Sequence, residues 1–355
     1  MSEDSPPPDS SLPPTVAVDA MGGDHAPAEV VAGAITASAT YGVSLVLTGR
    51  PSQLRPLLSM DGRGGDIRVM PAEDSLAMDE GALASFRRPR SSVAVACQLV
   101  RRGQAAAVVS AGSTAGIVAT ARLRLRSLPG LLRPGLAVAL PTGPKPTLLV
   151  DAGAIADPKP EMLLQFAQLG VAYAQVALGV EDPRVGLLTI GAEPMKGNKL
   201  ALKAHELLAA PQHGGLPIRF TGNIEGSDLL AGKVDVVVTD GFTGNVALKT
   251  IEGAGRFATD QIRAAFEGSQ AARFGALFQR RVLRELAGQM DAETYGGAAL
   301  LGLEGTVVIA HGSSTAKGIA SACQLADHLA RGHITERIQE RLGSGHRGSH
   351  FLRRP

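Results

Sequence analysis

Lysine, asparagine, serine and histidine recur in this chain beside glycine, in short turns that follow apolar, β-branched runs, and such turns suit the holding of an anion. Four junctions share the design: DAMGGDHAPAEVV from Asp19, VVSAGSTAGIVATA from Val108, VVVTDGFTGNVALK from Val236 and VVIAHGSSTAKGIASA from Val307. Glycine lets the backbone approach a ligand closely, and the first turn of a helix offers unpaired N–H groups at the positive end of its dipole. The first junction carries Asp19, Gly22, Gly23, Asp24 and His25, and the second Ser110, Gly112, Ser113 and Thr114. The third carries Asp240, Thr243, Gly244, Asn245 and Lys249, and the fourth His311, Ser313, Ser314 and Lys317. Asn245 and Lys249 fall one turn apart on one helix face. A fifth turn, in GLLTIGAEPMKGNKLALKAHELL, sets Glu193, Lys196, Asn198 and Lys199 at a helix start, where cations oppose the dipole unless an anion lies there. Any α/β protein needs tight Gly-rich turns, so one such junction is ordinary architecture. Four together, three of them with hydroxyls or amides beside the glycines, point to a phosphate-bearing ligand.

Several chemistries lack their signatures. There is no GxxxxGK[ST] phosphate loop and no GxSxG nucleophile turn. A GxGxxG at Gly343, Gly345 and Gly348 has no strand before it, and a GxGxxA at Gly253, Gly255 and Ala258 falls inside a helical pattern, so neither reads as a dinucleotide site. The eight histidines show no HxH or HExxH spacing, which leaves a metal site without support, and no cofactor is expected. Cys97 and Cys323 lie on apolar helical segments, where inert buried thiols are the reading, and two cysteines cannot build a disulfide framework.

The elements that position these turns can be read from the rest of the chain. At 355 residues, with 45% hydrophobic and 19% charged residues, it is globular material with room for a large core. A net charge of +2 with no Trp and three Tyr gives neither the basic field nor the stacking platforms of a nucleic-acid binder. No apolar run reaches about 18 residues and the start is acidic and proline-rich, so a cytoplasmic protein is expected. Strand runs are read at 15–20, 43–49, 66–72, 105–112, 135–141, 146–153, 184–191, 218–223, 234–241 and 306–312, most of them followed by helical stretches. That alternation predicts a three-layer α/β/α sandwich with a mostly parallel sheet, and it sends the turns at the carboxyl ends of the strands toward one cleft. Residues 1–14 read as a disordered lead, 15–342 as the folded α/β domain and 343–355 as a loose basic tail. A helical projection is expected over about 253–292, with the chain returning to the sheet at Thr306. Four of the nine phenylalanines, Phe257, Phe266, Phe274 and Phe278, lie there among Arg256, Arg263, Arg273, Arg280, Arg281 and Arg284. Such a stretch fits a partner-facing helix pair, a membrane-surface element or a hairpin closing the domain's own core.

Taken in order, VAVDAMGGDHAPAEVVAGA, SAGSTAG, VDAGA, KGN, GNIEG, TDGFTGN, YGGAALLG and AHGSS resemble the motifs of the PlsX phosphate acyltransferases of bacterial phospholipid synthesis, over about residues 15–335. The chain departs from that family in its proline-rich lead, its basic tail and the AEP (Ala192–Pro194) before KGN. The resemblance implies an architecture like that of phosphotransacetylases and isocitrate-dehydrogenase-like enzymes. It implies transfer of a long-chain acyl group from acyl carrier protein to inorganic phosphate, giving acyl phosphate for a later glycerol 3-phosphate acylation. Phosphate is then the nucleophile, so no serine or cysteine nucleophile is needed; the site must hold a dianion near the thioester carbon and stabilise an oxyanion.

On that reading Lys196 and Lys249 neutralise phosphate or the oxyanion, and Asn198 and Asn245 donate hydrogen bonds to it. Asp19, Gly22, Gly23, Asp24 and His25 shape the first turn of the site, with Asp24 and His25 either a base pair for phosphate or turn-capping groups. Ser110, Gly112, Ser113 and Thr114 cradle phosphate or the pantetheine phosphodiester. Asn223, Asp240, Thr243, Gly244, Ser313 and Ser314 are substrate contacts, and His311 either moves a proton or holds its turn. Phe266, Phe274, Leu277 and Phe278 are membrane or partner contacts. The family further implies a homodimer, peripheral membrane association and a downstream glycerol-3-phosphate acyltransferase as partner. A coenzyme A-dependent acyltransferase and a non-catalytic carrier-binding module are the alternatives.

Overall fold

A computed structural model describes residues 14–62, 64–143, 145–210, 216–267, 281 and 292–346 of the chain. The strand runs form one eleven-stranded sheet: β1 (Thr15–Asp19), β2 (Ser44–Gly49), β3 (Arg68–Pro71), β4 (Ala107–Ser110), β5 (Gly135–Leu140), β6 (Thr147–Val150), β7 (Arg184–Leu188), β8 (Arg219–Ile224), β9 (Val236–Val238), β10 (Ala298–Leu301) and β11 (Thr306–Ile309), in the order β3-β2-β1-β4-β11-β10-β5-β6-β9-β7-β8. The helices are α1 (Ala28–Tyr41), α2 (Pro51–Asp61), α3 (Ala84–Arg87), α4 (Ser92–Arg101), α5 (Thr114–Leu125), α6 (Pro160–Ala177), α7 (Lys199–Ala209), α8 (Gly241–Glu267), α9 (Ala316–Arg331) and α10 (Ile334–His346).

Most neighbouring strands are parallel, but β10 runs against both β11 and β5, and β5 runs against β6. The two parallel blocks, β3-β2-β1-β4-β11 and β6-β9-β7-β8, therefore point in opposite directions. This corrects the expectation that all carboxyl-end turns meet. The turns after β1, β4 and β11 gather at one end of the sheet, and those after β6, β9 and β7 at the other. The reversing strand β10 is absent from the sequence reading because its AALL has no β-branched or aromatic residue. The chain accordingly rejoins the sheet at Ala298, ahead of the expected Thr306.

Alternation along the strands divides the core between the two faces. Val16, Val18, Leu45 and Leu47 pack with α1, α6, α9 and α10, while Ala17, Val46, Val108 and Val237 face α4, α5 and α8. Near-continuous apolar strands are what a sheet buried on both faces requires.

Two element boundaries differ from expectation. The helix read as a projection from about 253 is the continuation of α8, which begins at Gly241. Helix α10 runs to His346, four residues into the segment read as a loose tail. The lead to Pro13, Arg273, Phe274, Leu277, Phe278, Arg280, Arg284 and the tail beyond His346 lie outside the described residues. No helix among the described residues is long and apolar enough to cross a membrane.

Candidate active site

On the face that carries α4, α5 and α8, the helices leave β5 and β10 uncovered, and a cleft of about 1200 Å³ opens there. Its floor is Leu136, Val138 and Leu140, alternate residues of β5. One wall is Thr114, Ala115, Val118, Ala119 and Arg122 of α5; the other is Asn245, Leu248, Lys249, Glu252, Arg256 and Thr259 of α8. Both walls follow helical spacing, so each helix turns one stripe to the cleft. The ends differ. His311, Ser313, Ser314 and Lys317 follow β11 and lie toward Leu140; Gly153 and Asn245 lie toward Leu136. Four residues of strand, about 13 Å, separate the two levels.

At the His311 end, β4 and β11 are adjacent, with the Ala310 N–H donating to the Ser110 carbonyl at 2.9 Å. Nδ1 of His311 lies 2.8 Å from Ser313 Oγ and 3.3 Å from the Ser313 backbone nitrogen. A backbone N–H can only donate, so Nδ1 is an acceptor and the ring hydrogen sits on Nε2. The start of α9 is already occupied: Glu293 accepts from both N–H and Oγ1 of Thr315 at 2.8 Å, and Glu29 accepts from the Ala316 N–H at 2.6 Å. The start of α5 has no side-chain cap, and among the described residues nothing accepts from the N–H groups of Thr114 and Ala115, both of which line the cleft.

The turn after β1 supports this end from behind without lining it. The Asp24 N–H donates to the Gly312 carbonyl at 2.8 Å. Ser110 Oγ donates to Asp19 at 2.7 Å and accepts from the Gly112 N–H at 3.2 Å, so its hydroxyl is engaged within the protein. Burial pushes the Asp19 carboxyl above its ordinary range, against hydrogen bonds from Ser92, Ser110 and the N–H groups of Met21 and Gly22. Glycine is required at 22, where a Cβ would sit 2.6 Å from Asp19 Oδ2 and 2.9 Å from the Gly112 nitrogen. Gly23, His25 and Ser113 are likewise outside the cleft lining.

At the other end, Asp151 accepts four backbone N–H bonds, from Leu136, Gly153, Ala154 and Ile155, at 2.7 to 3.1 Å. The donors of the VDAGA turn are therefore held by a carboxylate of the protein itself. Burial nonetheless raises the Asp151 carboxyl. Asp240 likewise accepts from the N–H and Oγ1 of Thr243, at 2.7 and 2.8 Å, and Gly244 lies so close to the Asp151 carbonyl that no Cβ fits. These three residues build the turn. Asn245 lies against Gly153, and Lys249 makes a 2.8 Å ion pair with Glu252 on the same stripe.

Lys196, Asn198 and Asn223 belong to the turn after β7 and to β8, outside the cleft lining. Asn198 caps α7, its Oδ1 accepting from the Ala201 N–H at 2.9 Å. Asn223 Oδ1 lies 2.8 Å from His205 Nδ1, and its amide nitrogen donates to the Glu193 carbonyl at 2.8 Å, holding the turn in place. Lys196 and Lys199 are exposed on it. Of the residues singled out from sequence, the cleft thus brings together Thr114, Asn245, Lys249, His311, Ser313, Ser314 and Lys317. Arg122, Glu252 and Glu293 were missed, and Arg256, read from sequence as part of a partner-facing, membrane-surface or core-closing stretch, lines the cleft; Glu252 and Arg256 continue the Asn245 and Lys249 stripe by helical spacing. Both cysteines are fully buried, with their thiols pushed up to about 12 by burial. Among the described residues no cluster of His, Cys, Asp and Glu side chains is placed to hold a metal.

A family model described as a fatty acid synthesis protein matches residues 15–337. The chain is 62% identical over 344 residues to a phosphate acyltransferase of Thermobifida fusca (strain YX), covering 97% of this chain and 95% of that protein. It is 44% identical over 329 residues to a phosphate acyltransferase of Synechococcus sp. (strain JA-2-3B'a(2-13)), covering 92% and 86%. Its backbone is similar to that of a phosphotransacetylase from Streptococcus pyogenes, with a TM-score of 0.59 at 16% identity over 90% of this chain and 94% of that one. A branched-chain phosphotransacylase from Enterococcus faecalis V583 gives 0.54 at 16% identity over 89% and 98%. At such identities the two structures speak to the fold alone.

Proposed function

The chain belongs to the PlsX family of phosphate acyltransferases, and from that premise we propose that the cleft between α5 and α8 is the site of its reaction. The protein is a transferase that moves an acyl group to phosphate in phospholipid synthesis, with acyl carrier protein as donor. Hydrogenphosphate attacks the thioester carbon; the C–O bond forms and the C–S bond breaks. The proton carried by hydrogenphosphate ends on the leaving thiolate, so the products are acyl phosphate and free thiol.

Phosphate is held where the start of α5 meets the turn after β11. The observation that carries this is the contrast among helix starts: those of α8 and α9 are closed by Asp240, Glu293 and Glu29, whereas α5 keeps the Thr114 and Ala115 N–H groups toward the cleft. Lys317, Ser313 and Ser314 border the same space. His311, with its hydrogen on Nε2, donates to the thioester oxygen as that oxygen gains charge. The apolar floor of Leu136, Val138 and Leu140 lies along the path of the acylated arm; Asn245 binds the arm at the far end, and Lys249 beside it neutralises the Glu252 carboxylate. Asp24, His25 and Ser110 set the shape of the turns around phosphate.

A second copy of the chain is a further proposed partner, supported by Phe242, Val246 and Phe257, which share one face of α8 and are more than half exposed. Peripheral membrane contact and a downstream glycerol-3-phosphate acyltransferase are proposed from the family. Liposome flotation with Phe274 and Leu277 changed to Glu tests the membrane contact, which unchanged lipid binding would remove.

Purified protein incubated with palmitoyl acyl carrier protein, with and without inorganic phosphate, tests the reaction. Phosphate-dependent appearance of both free thiol and acyl phosphate is expected. Thiol release without phosphate would mean a thioesterase and would overturn the assignment of the anion site.

A further inference from the structure

The seventy residues from Gly81 to Val150 contain ten Lys or Arg and no Asp or Glu, in a chain whose overall net charge is only +2. This stretch builds α3, α4, β4, α5, β5 and β6, and so supplies the α5 wall and the β5 floor of the cleft. Its charge is not spent evenly. Arg88 pairs with Asp74 and Glu80, and Arg90 with Glu73. No salt bridge among the described residues engages Arg87, Arg122 or Arg126. Arg87 and Arg126 are exposed, while Arg122 is half-buried in the cleft wall one turn before Arg126.

The same surface carries apolar side chains that the fold does not cover. Short helix α3 buries Ala84 and Ser85 and leaves Phe86 63% exposed, with Leu83 just before it 71% exposed; Leu123 of α5 is 42% exposed. The two helices lie against each other: Arg124 donates to the Pro89 carbonyl at 3.1 Å, and Ala82 lines the cleft with Val118, Ala119 and Arg122. Cationic groups interspersed with exposed apolar ones at the mouth of a cleft make a docking surface, not a solvated face.

We infer that this surface, formed by Leu83, Phe86 and Arg87 of the α3 segment and Arg122, Leu123 and Arg126 around the end of α5, docks the acyl carrier protein, an acidic protein whose acylated pantetheine arm must reach the cleft. The inference rests on the transferase reading. Charge complementarity selects the occupant: an acidic helical protein matches exposed arginines set around apolar anchors. Arg122 stands between the patch and the cleft interior, where the phosphodiester at the root of the arm passes, and it pairs with phosphate bidentately. The arm then runs over the β5 floor toward His311.

The test uses the whole protein. Fluorescently labelled holo acyl carrier protein is titrated against wild type, R87E/R126E, the milder R87A/R126A and, as a charge control, R337E on α10 across the sheet. Phosphate-dependent turnover of palmitoyl acyl carrier protein is followed in parallel. Charge reversal is expected to weaken carrier binding and raise KM by about tenfold or more, with kcat at saturation kept, a smaller effect for the alanine pair and none for R337E. The salt dependence of KM should flatten in the variants. Unchanged binding and KM in both variants, with wild type turning over, would overturn the docking surface and leave the transferase standing. Absence of phosphate-dependent turnover in wild type would overturn the transferase reading, and the binding titration would still judge the surface. Loss of binding to phosphatidylglycerol vesicles in R87E/R126E, with carrier affinity intact, would overturn the proposal in favour of a lipid surface.

Discussion

The backbone N–H of Ser313 approaches Nδ1 of His311 at 3.3 Å, and Ser313 Oγ lies 2.8 Å from the same nitrogen, so two groups of one residue fix which ring nitrogen carries hydrogen. With Nδ1 engaged as acceptor, the imidazole has one remaining use, donation from Nε2. Replacing His311 by Ala should lower kcat by about 10² to 10³, the typical cost of one oxyanion donor. His311→Gln, whose amide nitrogen reaches close to the Nε2 position, should recover a large part of that loss, whereas His311→Asn should not. Equal activity of the Ala and Gln variants in the phosphate-dependent thiol assay would remove the donor role.

Lys249 and Glu252 form a pair whose side chains are 50% and 19% exposed, too open for the pair to contribute more than about 1 kcal/mol to stability. Its effect belongs to the cleft. Lys249→Ala leaves a carboxylate facing an anionic substrate and should raise KM for acyl carrier protein by about tenfold. Removing both charges in K249A/E252A should bring KM back to within about threefold of wild type, because the repulsion goes with the carboxylate. A double variant as poor as the single would show that the lysine itself contacts substrate.

Much of the sheet was readable because its strands are apolar and β-branched, as in VVV of β9 and TVVI of β11. The reversal at β10 was not, since AALL carries the composition of a helix and only its neighbours make it a strand. The turns fall into two groups at opposite ends of the sheet because β5 and β6 pair antiparallel, whereas β10, antiparallel to both its neighbours, leaves β5 pointing the same way as β11. The cleft was hidden for a related reason: it is the gap between α5 and α8, and a gap has no residues of its own. Asp19, Ser110 and Asp240 look from sequence like ligand contacts, since a polar side chain that satisfies groups of its own protein has the same local pattern as one that binds substrate. Only the partner atoms tell them apart.

The turn holding Lys196 and Asn198 gives a third prediction. Lys196 is exposed and outside the cleft lining, where solvent screens its charge. Lys196→Ala should therefore change kcat by less than tenfold, against about tenfold or more in KM or kcat for Asn245→Ala. Asn198→Ala should act on stability, costing about 1 kcal/mol through the lost cap of α7. Urea unfolding of N198A beside activity of K196A separates the two effects. A 10²-fold loss in K196A would move the reaction centre to the β7 turn.

Asp19 gives the last. Its carboxyl is 3% exposed and its folded-state pKa is raised above the ordinary 3.8, with desolvation the largest cause. The sign follows from linkage: the folded state binds the proton more tightly than the unfolded chain, so Asp19 favours folding fully below about 3.8, and that contribution is lost as pH rises through the raised value. The amide introduced by Asp19→Asn cannot ionise. It keeps one carbonyl acceptor, for either Met21 N–H or Ser110 Oγ, at a cost that does not vary with pH. The stability of D19N minus that of wild type should therefore increase with pH above 3.8, by no more than about 1.4 kcal/mol per pH unit, and level off once Asp19 is ionised in both states. Subtracting the two urea unfolding curves at each pH cancels every other carboxylate that the substitution leaves alone. A difference that stays flat, or falls with pH, would mean that the bonds from Ser92, Ser110 and the Met21 and Gly22 N–H groups outweigh burial. The turn behind the phosphate site would then be held together by a stabilised anion.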